Sequence, residues 1–401
     1  MSNDIYDIVI IGGGASGFMF AAQYDLDGAS GIILEGSPHI GSKLLMSGGG
    51  HCNITHGGPI KDFVYAYGDE GLALRRCLYR HNNLELAQWL SDRGVELADE
   101  DGERVDPSYV PGGINNAGRI FPASGAARDV LDAFGKEASW NGWDVRMESE
   151  VCALRNDGTW QITLINGLEL RAKKVVVASG GITYPETGSN GSMLEILSDL
   201  GIDIIEPRPA LAPVYVEDYP YAELSGVSVP DVTVVAFSSD AACTCKGKAA
   251  RMKGDLLFTH EGLSGPVILN ISGYVEPGER IRLCYNRDLQ ELPKRMQRIL
   301  RERSRGPLGD VRTNVLASLV DHDDFIVSGV DERGMVTAGG VSLDEIDMQT
   351  MQIRKYDGLY VIGEAINADG ITGGYNLHLC WSTAGAAADA LRAAEMPDRQ
   401  N

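Results

Sequence analysis

The sequence predicts an α/β fold in which both ends of the chain contribute to one parallel sheet. Three observations predict this arrangement. An apolar strand, a glycine-rich turn and a helix follow one another over residues 6–23, and a similar pattern recurs over residues 358–381. Between them lies a long stretch of alternating, strand-like residues. Strands that alternate with helices favour parallel pairing, whereas consecutive short strands favour a separate β-rich region.

Composition limits the classes of protein to be considered. A chain of 401 residues exceeds one simple core and predicts two or three domains. A net charge of −21 repels phosphate backbones, so we expect a small-molecule substrate and no nucleic-acid partner. The first apolar run is short and lacks preceding positive charge, and no stretch approaches 18 apolar residues. We therefore expect no signal peptide, no membrane partner and a cytoplasmic location.

The cysteines predict neither a disulfide framework nor a metal centre. Seven cysteines are scattered along the chain, an odd number that favours reduced thiols. Cys243 and Cys245 form a C-x-C pattern, but no second Cys or His pair lies nearby in the sequence. Two ordinary cysteines explain this pattern better than a metal site does, and we predict no bound metal.

The first glycine-rich turn is typical of dinucleotide binding. In "YDIVIIGGGASGFMFAAQYD", Gly12 permits a tight turn, Gly14 allows the backbone to approach a pyrophosphate, and Gly17 lets the helix pack on the strand. The helix N-terminus offers free N–H groups to phosphate. A second strand, "GIILE", ends at Glu35, whose carboxylate would accept hydrogen bonds from a ribose. The context on both sides of the turn strengthens an otherwise weak motif.

A second glycine-rich loop follows in "GSPHIGSKLLMSGGGHCNITH". It carries five glycines and three serines around a Lys43-Leu-Leu-Met core. The sequence predicts irregular backbone rather than a helix, running close to a flat ligand.

The middle of the chain combines helices with a meander of strands. Helices are predicted over residues 71–80, over residues 84–93 and from about residue 125. Hairpin signals at residues 156–158 and 166–167 predict antiparallel strands that end in a buried run, Val175 to Val177, before Ser179-Gly180-Gly181.

We predict the following domains. Residues 1–190 and 337–401 form the dinucleotide-binding domain, and residues 191–288 and 321–336 form an inserted β-rich domain. The charged, helical stretch of residues 289–320 forms a small helical subdomain of the insertion.

The last strand and turn predict the remainder of the cofactor site. Open parallel sheets bind ligands at the carboxyl ends of their strands, and Glu364 ends the strand "GLYVIGE". Its carboxylate can accept hydrogen bonds from a ribityl hydroxyl. The helix opening at Gly373-Gly374-Tyr375-Asn376 can direct its N-terminus at the pyrimidine end of a flavin.

With these pieces identified, the sequence resembles the BaiN/YhiN-type bacterial flavoproteins, which are NAD(P)/FAD-dependent-oxidoreductase-like proteins. The matching segments span nearly the whole chain in order: "DIVIIGGGASG", "GSKLLMSGGGHCNIT", "GRIFPAS", "VVVASGGITYPETGSNG", "GDLLFTHEGLSGP", "AGGVSLDEIDMQTM" and "GLYVIGEAINADGITGGYNLHLCWSTAG". Ser42 and His51 stand where the family usually has arginines. The resemblance implies a Rossmann-type FAD domain of the glutathione-reductase superfamily's second type, split by an inserted β-barrel and helical region. It also implies non-covalent FAD.

The motifs and the resemblance together predict one set of cofactor-binding residues. They are Gly12, Gly14, Ala15, Ser16, Gly17, Glu35, Lys43, Ser47, Gly48, Gly49, Cys52, Asn53, Ser179, Gly180, Gly181, Gly363, Glu364, Gly373, Gly374, Tyr375 and Asn376.

Candidates for catalysis are fewer and less specific. Tyr184 follows the Gly180-Gly181 turn and could line the flavin, and His51 could donate a hydrogen bond to it. His260, in "FTHEGLSGP", could act as an acid or orient substrate, although a histidine that only satisfies its turn is the simpler interpretation. Cys52 has no visible thiol partner, which favours a packed thiol over a redox-active one.

The predicted function is FAD-dependent hydride transfer, and family analogy points to a C–C bond beside a carbonyl. No second G-x-G-x-x-G follows a strand, so NAD(P)H is expected only as a transient electron donor. One alternative is an FAD-dependent tRNA-uridine-modifying enzyme, which would need a basic face that the net charge disfavours. The other is a non-catalytic flavin-binding protein.

Overall fold

The structure is a computed structural model that describes residues 5–107, 114, 117–237, 250–285, 291–304 and 322–395. Within them the chain forms two compact units, residues 1–208 with 336–401 and residues 209–335. The helices are α1 (Ala15–Gln23), α2 (Ser42–Met46), α3 (Ile60–Ala66), α4 (Gly71–Arg80), α5 (Asn83–Asp92), α6 (Ala127–Trp140), α7 (Ser192–Asp199), α8 (Pro266–Ile271), α9 (Lys294–Ser304) and α10 (Tyr375–Glu395).

The strands are short in most of the chain. They are β1 (Ile5–Ile11), β2 (Gly31–Leu34), β3 (Thr55–His56), β4 (Leu97–Ala98), β5 (Arg104–Val105), β6 (Arg119–Pro122), β7 (Asp144–Arg146), β8 (Val151–Asn156), β9 (Trp160–Leu164), β10 (Glu169–Val177), β11 (Ile204–Ala210), β12 (Val214–Val216), β13 (Ser228–Phe237), β14 (Ala250–Phe258), β15 (Leu263–Ser264), β16 (Arg280–Cys284), β17 (His322–Val330), β18 (Val336–Val341), β19 (Ile346–Asp347), β20 (Gln352–Ile353) and β21 (Leu359–Val361).

The first unit is built on a mainly parallel sheet. Its order is β19-β20-β21-β10-β1-β2-β7, and the neighbours from β21 to β7 run parallel. Strand β1 is nearly continuous in apolar residues, as expected for a strand covered on both faces, and Ile8, Val9 and Ile10 have no exposed surface. Because β21 comes from the C-terminal stretch, the prediction that both chain ends form one sheet is confirmed.

Two hairpins attach antiparallel strands to this sheet. β8 pairs with β9, and β9 pairs with β10, which continues into the parallel part of the sheet. The connections contain Gly158 and Gly167, both with positive φ, as the predicted turns require. The same strand therefore ends the meander and joins the core, as the sequence predicts.

Helix α10 closes the unit against the first helix. It packs on α1 and α4, and its small residues Ala384, Ala387 and Ala388 are fully buried. Small side chains let two helices approach closely, and this explains the run of alanines that follows Trp381. No helix of the described residues has the length and apolarity needed to cross a membrane.

The second unit contains a closed β-barrel with strand order β12-β15-β14-β13-β16-β17. Its core includes Val214, Phe258, Leu283 and Val327, each fully buried. Among the described residues this unit also holds helices α8 and α9, and residues 289–290 and 305–320 of the predicted helical subdomain lie outside the described residues. The predicted combination of a Rossmann-type domain with a β-barrel is confirmed.

Two local expectations differ from the structure. The first unit extends to residue 208, beyond the expected boundary at residue 190, because helix α7 packs on β8 of the first unit. In the glycine-rich loop, residues Ser42–Met46 form the short helix α2, although the sequence predicted irregular backbone there. The four residues before Ser47, from Lys43 to Met46, are good helix formers, which explains the additional turn.

Candidate functional site

The turn after β1 has the geometry that its glycines predict. Gly12 has φ +109°, and a methyl group there would lie 2.4 Å from the carbonyl oxygen of Ala178 at the end of β10. A methyl group at Gly17 would lie 2.1 Å from the carbonyl oxygen of Gly12. Around Gly14, in contrast, a methyl group would meet no described atom within 4 Å. The turn is thus closely packed at Gly12 and Gly17. It is open at Gly14, just before Ala15 and Ser16 start helix α1.

Glu35 lies beside this turn and is 7% exposed. The backbone N–H of Gly13 donates to Oε2 at 2.8 Å, and that of Ser37 donates to Oε1 at 2.7 Å. Each carboxylate oxygen has two lone pairs, so one acceptor site remains on each. The carboxylate is fixed in place and can still accept hydrogen bonds from a ribose diol.

A second charged group joins residues from distant parts of the first unit. The Nζ of Lys43 lies 2.8 and 2.7 Å from the two carboxylate oxygens of Glu364 and donates to Thr183 Oγ1 at 2.7 Å. Oε1 of Glu364 also accepts from the backbone N–H of Thr337 at 2.8 Å. Lys43 and Glu364, both predicted to bind the cofactor, therefore form an ion pair with each other. Oε2 has only Lys43 as a partner among the described residues and retains acceptor capacity.

The segment that follows the Ser47–Gly50 turn is joined to the C-terminal turn by the amide side chain of Asn53. With its amide oriented to satisfy its neighbours, Asn53 donates to the carbonyl oxygens of Thr55 and Ile120 and accepts from the N–H of Gly374 at 3.0 Å. Gly48 and Gly49 both have positive φ, and a methyl group at Gly49 would meet no described atom within 4 Å. Asn53 thus holds the turn at Gly374, and Gly49 leaves an open surface.

Cys52 is a packed thiol. It is fully buried, and burial raises its pKa to about 12, although a hydrogen bond with Ser47 opposes the shift. A thiol with this pKa is protonated at neutral pH and reacts poorly. The structure thus favours the packed-thiol interpretation.

The C-terminal turn is fixed by its own side chains. The amide of Asn376 accepts from the N–H of Gly370 and donates to its carbonyl oxygen, both at 2.8 Å. The ring of Tyr375 stacks on His56 with centroids 5.0 Å apart. A methyl group at Gly363 would lie 2.6 Å from Ser16 Cβ, so the end of β21 contacts the start of α1. Both polar atoms of the Asn376 side chain therefore bond to Gly370 within the loop. Gly373 and Gly374 immediately precede the N-terminus of α10.

The end of β10 carries buried hydroxyls without a partner. Ser179 Oγ and Ser189 Oγ are both inaccessible to solvent and form no hydrogen bond within the described part of the chain. Ser179 lies next to the first turn, since a methyl group at Gly12 would be 3.0 Å from Ser179 Cα. Gly181 is packed against Thr337. Buried hydroxyls normally find a partner, so these two point to a missing polar group.

The three candidates for catalysis occupy different environments. Tyr184 is partly buried in a left-handed conformation, with the Lys43 Nζ 5.9 Å from its ring centroid. His51 is exposed, and its Nδ1 lies 3.0 Å from the carbonyl oxygen of Gly125. His260 is exposed in the second unit, between β14 and β15. Tyr184 alone contacts the charged pair, and the roles of all three remain predictions.

Sequence reasoning missed Asp369, between the Glu364 pair and the C-terminal turn. Burial, reinforced by the negative charges of Glu70 and Glu364 and opposed by Arg208, raises its pKa to about 7. An acid in the sequence gives no sign of such a shift, because burial arises only in the fold. No group of His, Cys, Asp and Glu side chains in the described residues could hold a metal ion.

These features fit the ADP and flavin parts of FAD. An anion-accepting helix N-terminus, an available ribose acceptor and two unpartnered hydroxyls lie near one edge of the sheet, at the carboxyl ends of β1 and β10. The Lys43–Glu364 pair and the N-terminus of α10 belong to the same unit, and Gly363, next to Glu364, packs against Ser16 at the start of α1. This set of polar groups suits a ligand that carries phosphates.

Residues 6–110 and 108–390 match the family described as HI0933-like protein Rossmann domain. The chain belongs to this family. The Haemophilus influenzae protein named ribosomal RNA dihydrouridine synthase is 29% identical to this chain over 417 residues, aligned over 95% of this chain and 97% of its own. The resemblance to BaiN/YhiN-type flavoproteins is confirmed, and the chain is a flavin-dependent oxidoreductase.

Two further similarities are informative about function and fold, respectively. The 3-dehydro-bile acid delta(4,6)-reductase of Clostridium scindens is 27% identical over 441 residues, aligned over 97% of this chain and 99% of its own. The solved 3-ketosteroid delta1-dehydrogenase of Sterolibacterium denitrificans has a TM-score of 0.55 at 12% identity, over 98% of this chain and 100% of that one. The second likeness concerns the fold alone.

Proposed function

We propose that the protein is an FAD-dependent oxidoreductase that transfers a hydride to or from a C–C bond conjugated with a carbonyl group. The observation that carries the proposal is the junction of Lys43 with Glu364. It brings the second glycine-rich loop and the C-terminal strand together on one extended site. The flavin ring supplies the hydride chemistry when bound, and the protein binds, orients and supplies the accompanying proton.

FAD is favoured over FMN by the groups around the first turn. Glu35 keeps one acceptor site on each oxygen, and a ribose diol beside a pyrophosphate would use it. FMN has no adenosine ribose. The open backbone at Gly14 and the N-terminus of α1 suit the two phosphates that join the halves of FAD.

The flavin end of the site would be formed by the C-terminal turn. Helix α10 begins at Tyr375, and the first N–H groups of a helix, which lack intrahelical partners, form a positive dipole end that would favour negative charge on the ring. The pKa of Asp369, near 7, suits proton exchange at neutral pH. We therefore add Asp369 to Tyr184 as a candidate for handling the proton.

The substrate chemistry is supported by what two relatives share. A uracil base reduced to dihydrouracil loses a double bond conjugated with a ring carbonyl. A 3-oxo bile acid that is unsaturated at positions 4 and 6 loses the same kind of bond on reduction. The two names thus describe one reaction type on different substrates. A double bond of this kind accepts hydride because the carbonyl stabilises the negative charge that develops.

A small enone and a uracil in RNA remain the two candidate substrates. The net charge of −21 favours the small molecule, since phosphate backbones are repelled. The relative named ribosomal RNA dihydrouridine synthase favours RNA and aligns over nearly its full length. Absence of nucleic acid as a partner therefore stays a prediction.

Anaerobic reoxidation tests the proposal. The bound flavin is reduced with dithionite and mixed with a 3-oxo-Δ4 steroid, with the same steroid lacking the 3-oxo group, and with ribosomal RNA. We expect the flavin absorbance to return with the conjugated ketone or with RNA, and to stay low with the isolated alkene. Equal reoxidation by both steroids would contradict the proposed chemistry. Reoxidation by oxygen alone would favour a non-catalytic flavoprotein.

The electron donor is tested in the reverse direction. Without a second dinucleotide fingerprint, we expect NADH and NADPH to reduce the flavin slowly under anaerobic stopped flow. Saturable reduction at about 10 per second, the median enzymatic rate, would require a donor site of another kind.

A further inference from the structure

Ser189 lies in a segment that sequence reasoning did not assign to the cofactor site. It follows a short turn at Pro185–Thr187 and precedes helix α7. The residue is 5% exposed, and its Oγ has no hydrogen-bonding partner within the described residues. Burying a hydroxyl without a partner is unfavourable, so a site that retains one is expected to receive a polar group from elsewhere.

Its position is set by the neighbouring backbone. A methyl group at Gly180 would lie 2.9 Å from Ser189 Oγ, which puts this hydroxyl beside the turn that ends β10. One residue earlier, a methyl group at Gly188 would lie 3.5 Å from Glu35 Oε1. The segment therefore runs between the end of β10 and the carboxylate expected to bind ribose.

Ser179 provides a second, independent observation at the same place. Its Oγ is also buried and unpartnered within the described residues, and its Cα lies near Gly12. Two unpartnered hydroxyls thus flank a glycine turn and a carboxylate with free acceptor sites. Phosphate and ribose oxygens accept hydrogen bonds from hydroxyls, whereas an apolar occupant would leave both serines unsatisfied.

We infer that Ser189, together with Ser179, binds the ADP half of FAD, and that Gly188 and Ser189 form part of one wall of that subsite. The inference rests on the proposed FAD function and extends it to a segment outside the glycine motifs. Ser189 is a binding residue here and takes no part in the chemical step.

The inference predicts opposite effects on the empty and the loaded protein. In Ser189→Ala, the apoprotein loses an unsatisfied buried hydroxyl, so its melting temperature should stay the same or rise. The same variant should bind FAD and ADP about tenfold more weakly, because it loses one hydrogen bond to a charged or polar ligand group. A serine that only supports the fold would lower the melting temperature of the apoprotein.

The experiment measures calorimetric binding of FAD and of ADP to the full-length apoprotein, and its melting temperature, for wild type, Ser189→Ala and Ser179→Ala. Ser198→Ala is the matched control, because Ser198 is exposed on α7. We expect both ligands to bind more weakly to the two buried-serine variants alone. Unchanged affinity for FAD and ADP, as expected if water fills the site, would overturn the inference. A lower melting temperature of Ser189→Ala would also overturn it.

The two proposals fail in distinguishable ways. If the wild-type apoprotein binds neither FAD nor ADP, the proposed function and this inference both fail. If it binds FAD and Ser189→Ala binds it equally well, the proposed function stands and only the assignment of Ser189 fails.

Discussion

Lys43 and Glu364 are 321 positions apart, and the ammonium group of one lies within 2.8 Å of both carboxylate oxygens of the other. The pair is partly buried, with side-chain exposures of 24% and 19%. Thr183 and the backbone of Thr337 complete the hydrogen bonding. This ion pair and its partners therefore join two segments from opposite ends of the chain, as does the Asn53–Gly374 hydrogen bond.

Removing the charge of Glu364 should weaken FAD binding while preserving the fold. In Glu364→Gln, an amide oxygen still accepts from Lys43 and Thr337. The charge-assisted hydrogen bond that the carboxylate would accept from a ribityl hydroxyl of FAD is lost, and such a bond contributes about 1.5–3 kcal/mol. We expect the dissociation constant for FAD to rise about tenfold or more, with an unchanged circular dichroism spectrum. Lys61→Met, on the exposed surface of α3, is a control for a nonspecific charge effect. Wild-type affinity in folded Glu364→Gln would remove Glu364 from the site.

Cys52 should resist alkylation in the native protein. Its thiol is buried and its pKa is raised to about 12, so almost no thiolate forms at neutral pH. Cys152 is exposed and provides an internal control. After brief treatment with iodoacetamide, peptide mass spectrometry should find Cys152 modified and Cys52 unmodified. Labelling of Cys52 at a similar rate would show that this loop opens in solution.

Stability should fall on mild acidification because of His378. Burial, together with nearby His81, lowers the pKa of His378 to about 3, against 6.5 when unfolded. Between these values the unfolded chain binds a proton that the folded chain does not, so this contribution to stability is lost as pH falls below 6.5. The slope is at most about 1.4 kcal/mol per pH unit.

The matched comparison is His378→Asn, whose amide can still bond to Thr55. Urea unfolding between pH 5 and 7 should give a smaller pH dependence for this variant than for wild type. Equal slopes in the two proteins would mean that the pKa of His378 is the same in the folded and the unfolded chain.

Asp369 should change the pH dependence of stability in the direction opposite to His378. Its folded pKa is raised to about 7 from 3.8, so the folded chain binds a proton that the unfolded chain lacks between these values. This contribution is fully present below pH 3.8 and is lost as pH rises from there to about 7. Asp369→Asn should therefore gain stability relative to wild type from pH 5 to pH 8. A constant difference across that range would place the carboxyl pKa near its ordinary value.

Local patterns predict the parts of the fold that depend on local physics. The turn at Gly12, the hairpins at Gly158 and Gly167 and the buried strand β10 all follow from backbone conformation and apolar runs over a few residues. Helix α7 is different. Gly191 suggested the start of a new domain, but the apolar face of the helix packs on β8, a contact that its own sequence does not specify.

The sequence predicts which segments form the site. It does not predict the contacts between those segments. Lys43 and Glu364 were both assigned to the cofactor, yet nothing in the sequence indicates that they bond to each other. Asp369 was missed because its pKa depends on burial and on the charges of Glu70 and Glu364. Ser189 was missed because the stretch "TGSNG" is typical of a surface loop. Its three polar residues and two glycines, within the matching segment "VVVASGGITYPETGSNG", were the available signal.

The central claim is that this chain binds FAD, without a covalent bond, through groups from both of its ends. Acid precipitation of the purified, full-length protein followed by mass spectrometry of the supernatant tests it most directly. The account predicts intact FAD in the supernatant and an unmodified polypeptide mass in the pellet. Release of FMN alone, release of NAD alone, or a polypeptide that carries the flavin mass would contradict it.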